Sequence, residues 1–179
     1  VKEVGKSDKR GTLVKFTPDK EIFKEITDFD YEILSKRMRE LSFLNKGITI
    51  SILDNRKKDK DGNPVSESFH SKEGLSEFIK YLDESREPII NNIIKMEGEK
   101  NGIPVEVAMI YNSSFSENLH SYVNNINTHE GGTHLSGFRR GLTNTLKKYA
   151  ESSGLTDKLK FDISGDDFRE GLTAVISVK

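Results

Sequence analysis

The sequence predicts an α+β domain, with a mixed sheet and helices packed on one of its faces. Apolar residues recur at helical spacing over residues 30–46, 71–85 and about 134–153. In contrast, they alternate with other residues over 103–111 and 172–178, as in half-buried strands. The order of these helices and strands along the chain favours a single sheet with helices beside it.

The first elements are a short strand and a helix. A strand is predicted at residues 12–16 and ends before Pro18, which has no N–H to give to a sheet. Asp30 is a suitable N-cap for the helix over 30–46, and Gly47 is a suitable stop. The predicted apolar stripe of this helix comprises Ile33, Leu34, Met38, Leu41 and Leu44.

A charged hairpin and a second helix come next. Strands are predicted at residues 48–52 and 65–70, with the charged segment 54–64 as a solvated tip between them. The helix over 71–85 begins behind a Ser71 cap and carries a stripe of Leu75, Phe78, Ile79 and Leu82.

The remaining strands are separated by a long helix. Asn101-Gly102 predicts a tight hairpin between strands at residues 93–99 and 103–111, since both turn residues tolerate positive φ. A strand over 119–126 leads into the long helix. Further along the chain, the pattern predicts a short strand at 158–163, a turn at 165–167 and a final strand at 172–178.

Composition narrows the classes of function. The net charge is −1, so contact with nucleic acid has to come from local placement of lysine and arginine. The chain has no cysteine, which removes disulfides and thiolate chemistry and is compatible with a reducing cytosol. No apolar run approaches the roughly 20 residues of a membrane span. We therefore expect a cytoplasmic protein with no membrane partner.

The candidate site lies in residues 124–141, which read NNINTHEGGTHLSGFRRG. The glycine pair Gly131-Gly132 allows backbone dihedrals closed to other residues just before the long helix. On a helical wheel, Arg139 lies about 60° from the centre of the apolar stripe, and Arg140 lies roughly opposite it. The stripe comprises Leu135, Phe138, Leu142, Leu146 and Tyr149. Arg139 can therefore bury its stem and present its guanidinium to a partner, although a basic helix face is more commonly only solvated.

Several sequence patterns that could suggest catalysis lack the residue spacing or the context that catalysis requires. The spacing of His129 and His134 in HEGGTH is one residue too long for the zinc motif HExxH. Asp166 and Asp167 could be metal ligands or paired catalytic carboxylates, but acids that begin a helix are the commoner case. Without a cysteine nucleophile or a Gly-x-Ser-x-Gly turn, we expect no catalytic residue and no metal site in this chain.

Several segments in the same order resemble the B-subunit family of bacterial DNA gyrase, within the type IIA topoisomerases. The segments that resemble this family are GTLVKFTPD at 11–19, YEILSKRMRELSFLNKGI at 31–48, NNIIKMEGEKNGIPVEVAMIYN at 91–112 and GDDFREGLTAVISVK at 165–179. The runs ELSFLN at 40–45 and GGTH at 131–134 are long and specific. The resemblance covers nearly the whole chain and is to the transducer domain, which follows the ATP-binding domain.

The resemblance implies a fold and a division of the chain. The expected fold is the ribosomal-protein-like second domain of the GHKL ATPases, a four-stranded mixed sheet with a left-handed β-α-β crossover. Residues 1–18 would be a polar tail and the last strand of an ATP-binding domain, with Thr12 matching an adenine-site threonine of an otherwise incomplete site. Residues 19–179 would be the transducer, ending before a Gln-Thr-Lys loop that carries the switch lysine, so Lys179 is not expected to be that lysine.

The resemblance also implies an activity for the longer protein. Such a protein couples ATP binding and hydrolysis to DNA strand passage and negative supercoiling, using ATP and magnesium. Its expected partners are duplex DNA, the gyrase A subunit in a heterotetramer, and a second B subunit on ATP binding. The present chain alone is expected to be inactive, with no cofactor bound.

Within the family, the arginine matching Arg139 faces a cavity for the transported duplex. The resemblance therefore implies that Arg139, and secondarily Arg140, contacts DNA phosphates without reading sequence. A second set of residues is expected to support the strand end and helix start structurally, namely Asn124, Asn125, Gly131, Gly132 and His134.

Two alternatives stay open from the sequence. The chain could be part of topoisomerase IV, from the subunit that corresponds to gyrase B. It could also be a coupling module without DNA contact in another ATPase of the same superfamily, although such a module is expected to lack the GGTH and GFRRG segments.

Overall fold

The computed structural model of the chain describes residues 5, 8, 10–25, 28–156 and 163–179. Its helices are α1 (Tyr31–Leu44), α2 (Leu75–Leu82) and α3 (Thr133–Ser152), with a short 3₁₀ helix at Asp167–Arg169. Its strands are β1 (Thr49–Lys58), β2 (Pro64–His70), β3 (Ile94–Lys100), β4 (Ile103–Tyr111), β5 (Asn118–Val123), β6 (Ile126–Asn127) and β7 (Leu172–Val178).

The central sheet has the strand order β3-β4-β7-β5-β6. β4 pairs antiparallel with β3 and with β7, whereas β5 runs parallel to β7. Parallel neighbours require a crossover connection, and here α3 lies within it, between β5 and β7. The mixed α+β sheet expected from the sequence is therefore confirmed, with the two-residue β6 added to four longer strands. The left hand of the crossover stays a prediction.

Helices cover both faces of this sheet, so the expectation of helices on one face is wrong. On one face, Phe78 and Ile79 of α2 and Leu44 of α1 pack with Ala108 and Val175. On the other face, α3 contributes a separate cluster that comprises Leu135, Phe138 and Leu142 with Val107, Met109, Ala174 and Ile176. The physical reason lies in the two central strands. Their apolar residues are nearly continuous rather than alternating, so both faces have to be covered.

β1 and β2 form a separate two-stranded sheet that packs beside α1. α1 begins at the Asp30 cap, whose carboxylate accepts from the N–H of Ile33 at 3.0 Å, as predicted. Ile33 itself is exposed, which corrects its place in the predicted stripe. Instead, the buried face includes Ser35, whose hydroxyl donates to Glu67 of β2 at 3.1 Å, because the helix packs on a polar hairpin.

The hairpin turn at Asn101-Gly102 is confirmed, with φ of 55° and 76° at its two residues. A second tight turn interrupts the strand predicted at 119–126. β5 ends at Val123 and β6 begins at Ile126, so Asn124 and Asn125 form a two-residue turn, with φ of 48° and 65°. Asparagine tolerates this left-handed region better than other non-glycine residues, which explains the turn.

The strand predicted at 12–16 is not formed among the described residues, and its place as the last strand of an ATP-binding domain stays a prediction. Leu13, Val14 and Phe16 are all exposed, and the ring of Phe16 packs edge-on against Phe29 at 6.2 Å. A strand requires a neighbouring strand for its backbone groups, and the described part of the chain offers none here. The strand predicted at 158–163 lies almost wholly outside the described residues. Within the described ranges, no helix is long and apolar enough to cross a bilayer.

Candidate nucleic-acid interface

The start of α3 depends on the two glycines that precede it. Gly131 has φ of 82° and Gly132 has φ of 153°, both positive values that favour glycine. No side chain caps the helix at Gly132. A Cβ built on Gly132 would lie 2.7 Å from the ring of His134, so the tight turn places that imidazole directly against the backbone.

His134 joins the start of α3 to β5 through Thr128. The Thr128 hydroxyl donates to the carbonyl of Ser121 at 2.9 Å, and its oxygen lies 3.2 Å from Nε2 of His134. Because that hydroxyl hydrogen is already used, the geometry fits an imidazole protonated on Nε2 that donates to Thr128. His134 thus has the connecting contact expected of a support residue.

Asn125 contacts α1 and not the start of α3, which is where its supporting role was expected. Its side-chain amide donates to Oδ1 of Asn45 at 2.9 Å, and its backbone carbonyl accepts from the guanidinium of Arg37. These bonds hold the β5–β6 turn to α1 and not to α3. Asn124 contributes through its backbone N–H, which donates to the carbonyl of Val178 at 2.8 Å.

Arg139 occupies the border between core and solvent that the helical wheel predicts. Its side chain is 40% exposed, and it forms a two-point contact with Glu117, which directly precedes β5. Nε of Arg139 donates to Oε1 of Glu117 at 3.1 Å, and Nη2 donates to Oε2 at 2.7 Å. These hydrogen bonds raise the pKa of the Arg139 guanidinium above its usual value, so the group stays charged.

Glu117 has a second cationic partner in Arg169. Nε of Arg169 lies 2.9 Å from Oε1 of Glu117, at an angle that makes an ion pair rather than a directed hydrogen bond. Arg169 is only 14% exposed, and its Nη1 donates to Thr143 on α3 at 2.8 Å. It also pairs with Asp166. We call Glu117, Arg139, Asp166 and Arg169 the charged cluster.

Arg140 lies fully on the solvent side of α3, as predicted. Near Arg139, a cleft of about 460 Å³ lies between α1, β5 and the loop before α3. Its lining includes the cationic or titratable groups Lys36, His120, His129 and Arg139, together with the carboxylates Glu40 and Glu130. Arg139 therefore borders an open space that is lined by both cationic and anionic side chains.

Tyr149 is 63% exposed, so its predicted place in the apolar stripe of α3 is wrong. The helix has 20 residues and is about 30 Å long, whereas β7 has 7 residues and is about 23 Å long. The last turn of α3 consequently extends beyond the strands that its stripe covers.

Other candidate residues are not gathered into a catalytic or cofactor site. Thr12 lies in the exposed segment before α1. Asp167 accepts from the N–H of Ser164 at 2.7 Å, and Ser164 accepts in return from the N–H of Asp167, which is a reciprocal cap on the 3₁₀ helix. In the described part of the chain, no three histidines or carboxylates come close enough to hold a metal ion.

Sequence reasoning missed Glu117 and Arg169. Glu117 is separated from Arg139 by 22 residues, and no local pattern connects the two. The only usable signal is that Arg139 and Thr143 are four residues apart and so share a helix face on which partners could converge.

Comparisons with known proteins agree on one family. A family model described as DNA gyrase B matches residues 74–179. The gyrase B protein of Cytophaga aurantiaca is 59% identical over 179 residues, which cover 100% of this chain and 37% of the relative. That of Halalkalibacterium halodurans is 47% identical over 176 residues, which cover 98% of this chain and 27% of the relative. The chain thus spans well under half the length of these relatives.

Solved structures of gyrase B proteins also match this chain. The 43K ATPase domain of Thermus thermophilus gyrase B, solved in complex with an aminocoumarin, matches with a TM-score of 0.72 and 31% identity. The match covers 90% of this chain and 42% of that one. The B-subunit of DNA gyrase from Myxococcus xanthus matches with a TM-score of 0.74 and 26% identity, over 91% of this chain and 48% of that one.

Proposed function

Because the chain belongs to the DNA gyrase B family, we propose that it works as the transducer of an ATP-dependent type IIA topoisomerase. In a protein of its relatives' length, this domain would couple ATP binding and hydrolysis to strand passage and negative supercoiling. The division into residues 1–18, from an ATP-binding domain, and 19–179, the transducer, is part of this proposal. The comparisons favour gyrase over topoisomerase IV, since the match at 59% identity over the whole chain is to a gyrase B protein.

The proposed partners follow from the family. They are duplex DNA, a gyrase A subunit and, when ATP binds, a second copy of the gyrase B protein, in the cytoplasm. ATP and magnesium would serve the longer protein. The described residues supply no site for either, since Thr12 is exposed and no metal-binding cluster forms among them, so no ATP chemistry is assigned to this chain.

One observation carries the DNA contact. Arg139 is held at the edge of the core with part of its side chain exposed, beside an open cleft whose lining includes Lys36 as well as the carboxylates Glu40 and Glu130. A guanidinium in this position suits contact with a phosphate backbone, and such contact carries no sequence preference. That property fits a duplex that has to pass through a cavity whatever its sequence.

The test is the binding of the 179-residue chain to two unrelated duplexes of about 20 base pairs across a range of salt concentrations. We expect weak binding, equal for the two sequences, that falls steeply with salt. Arg139→Ala should weaken binding and reduce the slope of log affinity against log salt by about one. Arg140→Ala should have a smaller effect of the same kind.

Lys58→Ala is the control for charge alone, because it removes one positive charge from the end of β1, in the separate two-stranded sheet. If Lys58→Ala weakens binding as much as Arg139→Ala, the contact is not localised at α3. If the wild-type chain does not bind either duplex at low salt, the proposed DNA contact is refuted for this chain. A coupling role without DNA contact would then remain.

A further inference from the structure

We propose that Glu117 is a positioning residue that acts through Arg139 and keeps duplex binding weak. This inference rests on the proposed DNA contact of Arg139. Glu117 holds the guanidinium in a fixed orientation and at the same time places a negative charge beside the phosphate that the guanidinium would bind.

The groups of the charged cluster pair with one another. Glu117 contacts both Arg139 and Arg169, and Arg169 also contacts Asp166. Two guanidinium groups and two carboxylates therefore cancel, and the charged cluster as a whole attracts a phosphate little. A duplex that contacts Arg139 therefore meets a cation whose charge is already balanced by its neighbours.

Arg139 has more N–H donors than Glu117 uses. A guanidinium has five N–H groups, and Glu117 uses one on Nε and one on Nη2. The two N–H groups of Nη1 and the second one of Nη2 make no hydrogen bond to the described residues. A phosphate can therefore bind Arg139 without displacing Glu117, and the two anions would then lie on adjacent edges of the same guanidinium.

Glu117 is anchored by Arg169 as well as by Arg139. Its partner Arg169 is largely buried and is held by Thr143 as well as by Asp166. Glu117 is itself 24% exposed and contacts both Arg139 and Arg169. These two contacts oppose a change of its rotamer when a phosphate binds. The repulsion between carboxylate and phosphate is therefore built into the site, and it favours release of the duplex.

The experiment compares duplex binding by wild type, Glu117→Gln and Arg139→Ala, and by the variant with both changes, across salt concentrations. Glutamine keeps the size of the side chain and one acceptor but removes the charge. We expect Glu117→Gln to tighten binding about three- to tenfold at low salt. We also expect it to steepen the salt slope by up to about 0.9, a change that a purely structural role would not produce.

Two further variants guard against misfolding and against a general charge effect. Glu117→Ala removes the charge with a different geometry and should also tighten binding, provided that its thermal unfolding stays cooperative. Asp166→Asn removes one negative charge from the same cluster, but at a residue that is 92% exposed and contacts Arg169 rather than Arg139. It should tighten binding less than Glu117→Gln does.

The outcomes separate the two proposals. If Arg139→Ala weakens binding but Glu117→Gln weakens it or leaves it unchanged, the role of Glu117 is refuted and the DNA contact stands. If Glu117→Gln tightens binding equally with and without Arg139, Glu117 does not act through that arginine and the inference fails. If neither the wild type nor Glu117→Gln binds the duplex at low salt, both proposals fail.

Discussion

Asp83 is the acceptor at the centre of a buried polar cluster beneath the β4–β5 loop. Its Oδ1 accepts from Thr173 Oγ1 at 2.7 Å, from Asn112 Nδ2 at 2.9 Å and from Arg86 Nη1 at 3.2 Å. Asn112 and Thr173 are almost wholly buried, so no water replaces a bond lost there. The cluster joins the end of α2 to the end of β4 and the start of β7. We predict that Asp83→Ala strongly destabilises the fold.

The magnitude follows from the donors that lose their acceptor. Thr173 and Asn112 would each lose a bond inside the core, at a cost of about 1 to 3 kcal/mol for each buried group. Asn112 keeps its second bond, to Thr173 Oγ1 at 3.1 Å, which reduces its share. Arg86 is partly exposed and can turn to water, so it adds little. The expected loss is about 3 to 4 kcal/mol, a large part of the roughly 5 to 15 kcal/mol typical of a domain.

Asp83→Asn is the matched control, because all three bonds converge on one oxygen that an amide oxygen can replace. It should cost only about 1 kcal/mol, mainly through the lost charge opposite Arg86. The assay is urea unfolding followed by circular dichroism, with both variants compared at the same pH. An alanine variant within about 1 kcal/mol of wild type, or an asparagine variant as unstable as the alanine one, would refute the reasoning.

Two further predictions concern a glycine and a histidine. Gly171→Ala should lower the free energy of unfolding by about 2 to 4 kcal/mol in the same urea assay, since Gly171 has φ of 70° and an added Cβ would lie 2.3 Å from the carbonyl oxygen of Asn112. Gly141→Ala, inside α3 with open space around it, should instead stabilise by up to about 1 kcal/mol, and equal effects at the two positions would contradict this reasoning. Burial lowers the pKa of His120, so its neutral form stabilises the fold above the unfolded value of about 6.5 and that stability is lost as the pH falls below it. Thermal unfolding at about pH 7.5 and about pH 5.5, on either side of that value, should show a smaller pH effect in His120→Gln than in wild type, and an unchanged effect would rule out His120 as its source.

The elements that the sequence predicted correctly are those defined by neighbouring residues. The Asp30 cap, the Asn101-Gly102 turn and the glycine turn before α3 all depend on contacts within a few residues. The border position of Arg139 follows from helical spacing alone, and its half-buried side chain agrees. Local geometry determines such features because their cause lies within one turn of the chain.

The errors arose where the partner of an element was unknown. Ile33 is exposed because α1 packs on the polar β1–β2 hairpin, and Tyr149 is exposed because α3 extends past the sheet. The segment at 12–16 has strand composition but no neighbouring strand among the described residues. Spacing predicts which face of an element is apolar, but not whether another element covers it.

The sequence by itself determined the family, the order of most elements and the placement of Arg139 and Arg140 on the long helix. Only the tertiary structure decided that helices cover both sheet faces, that Asn125 holds α1 and that Glu117 balances Arg139. The physical reason is distance along the chain. Caps, turns and helix faces are set by contacts between near neighbours, whereas the charge around Arg139 is set by Glu117, Asp166 and Arg169, which folding brings to α3 from two separate segments.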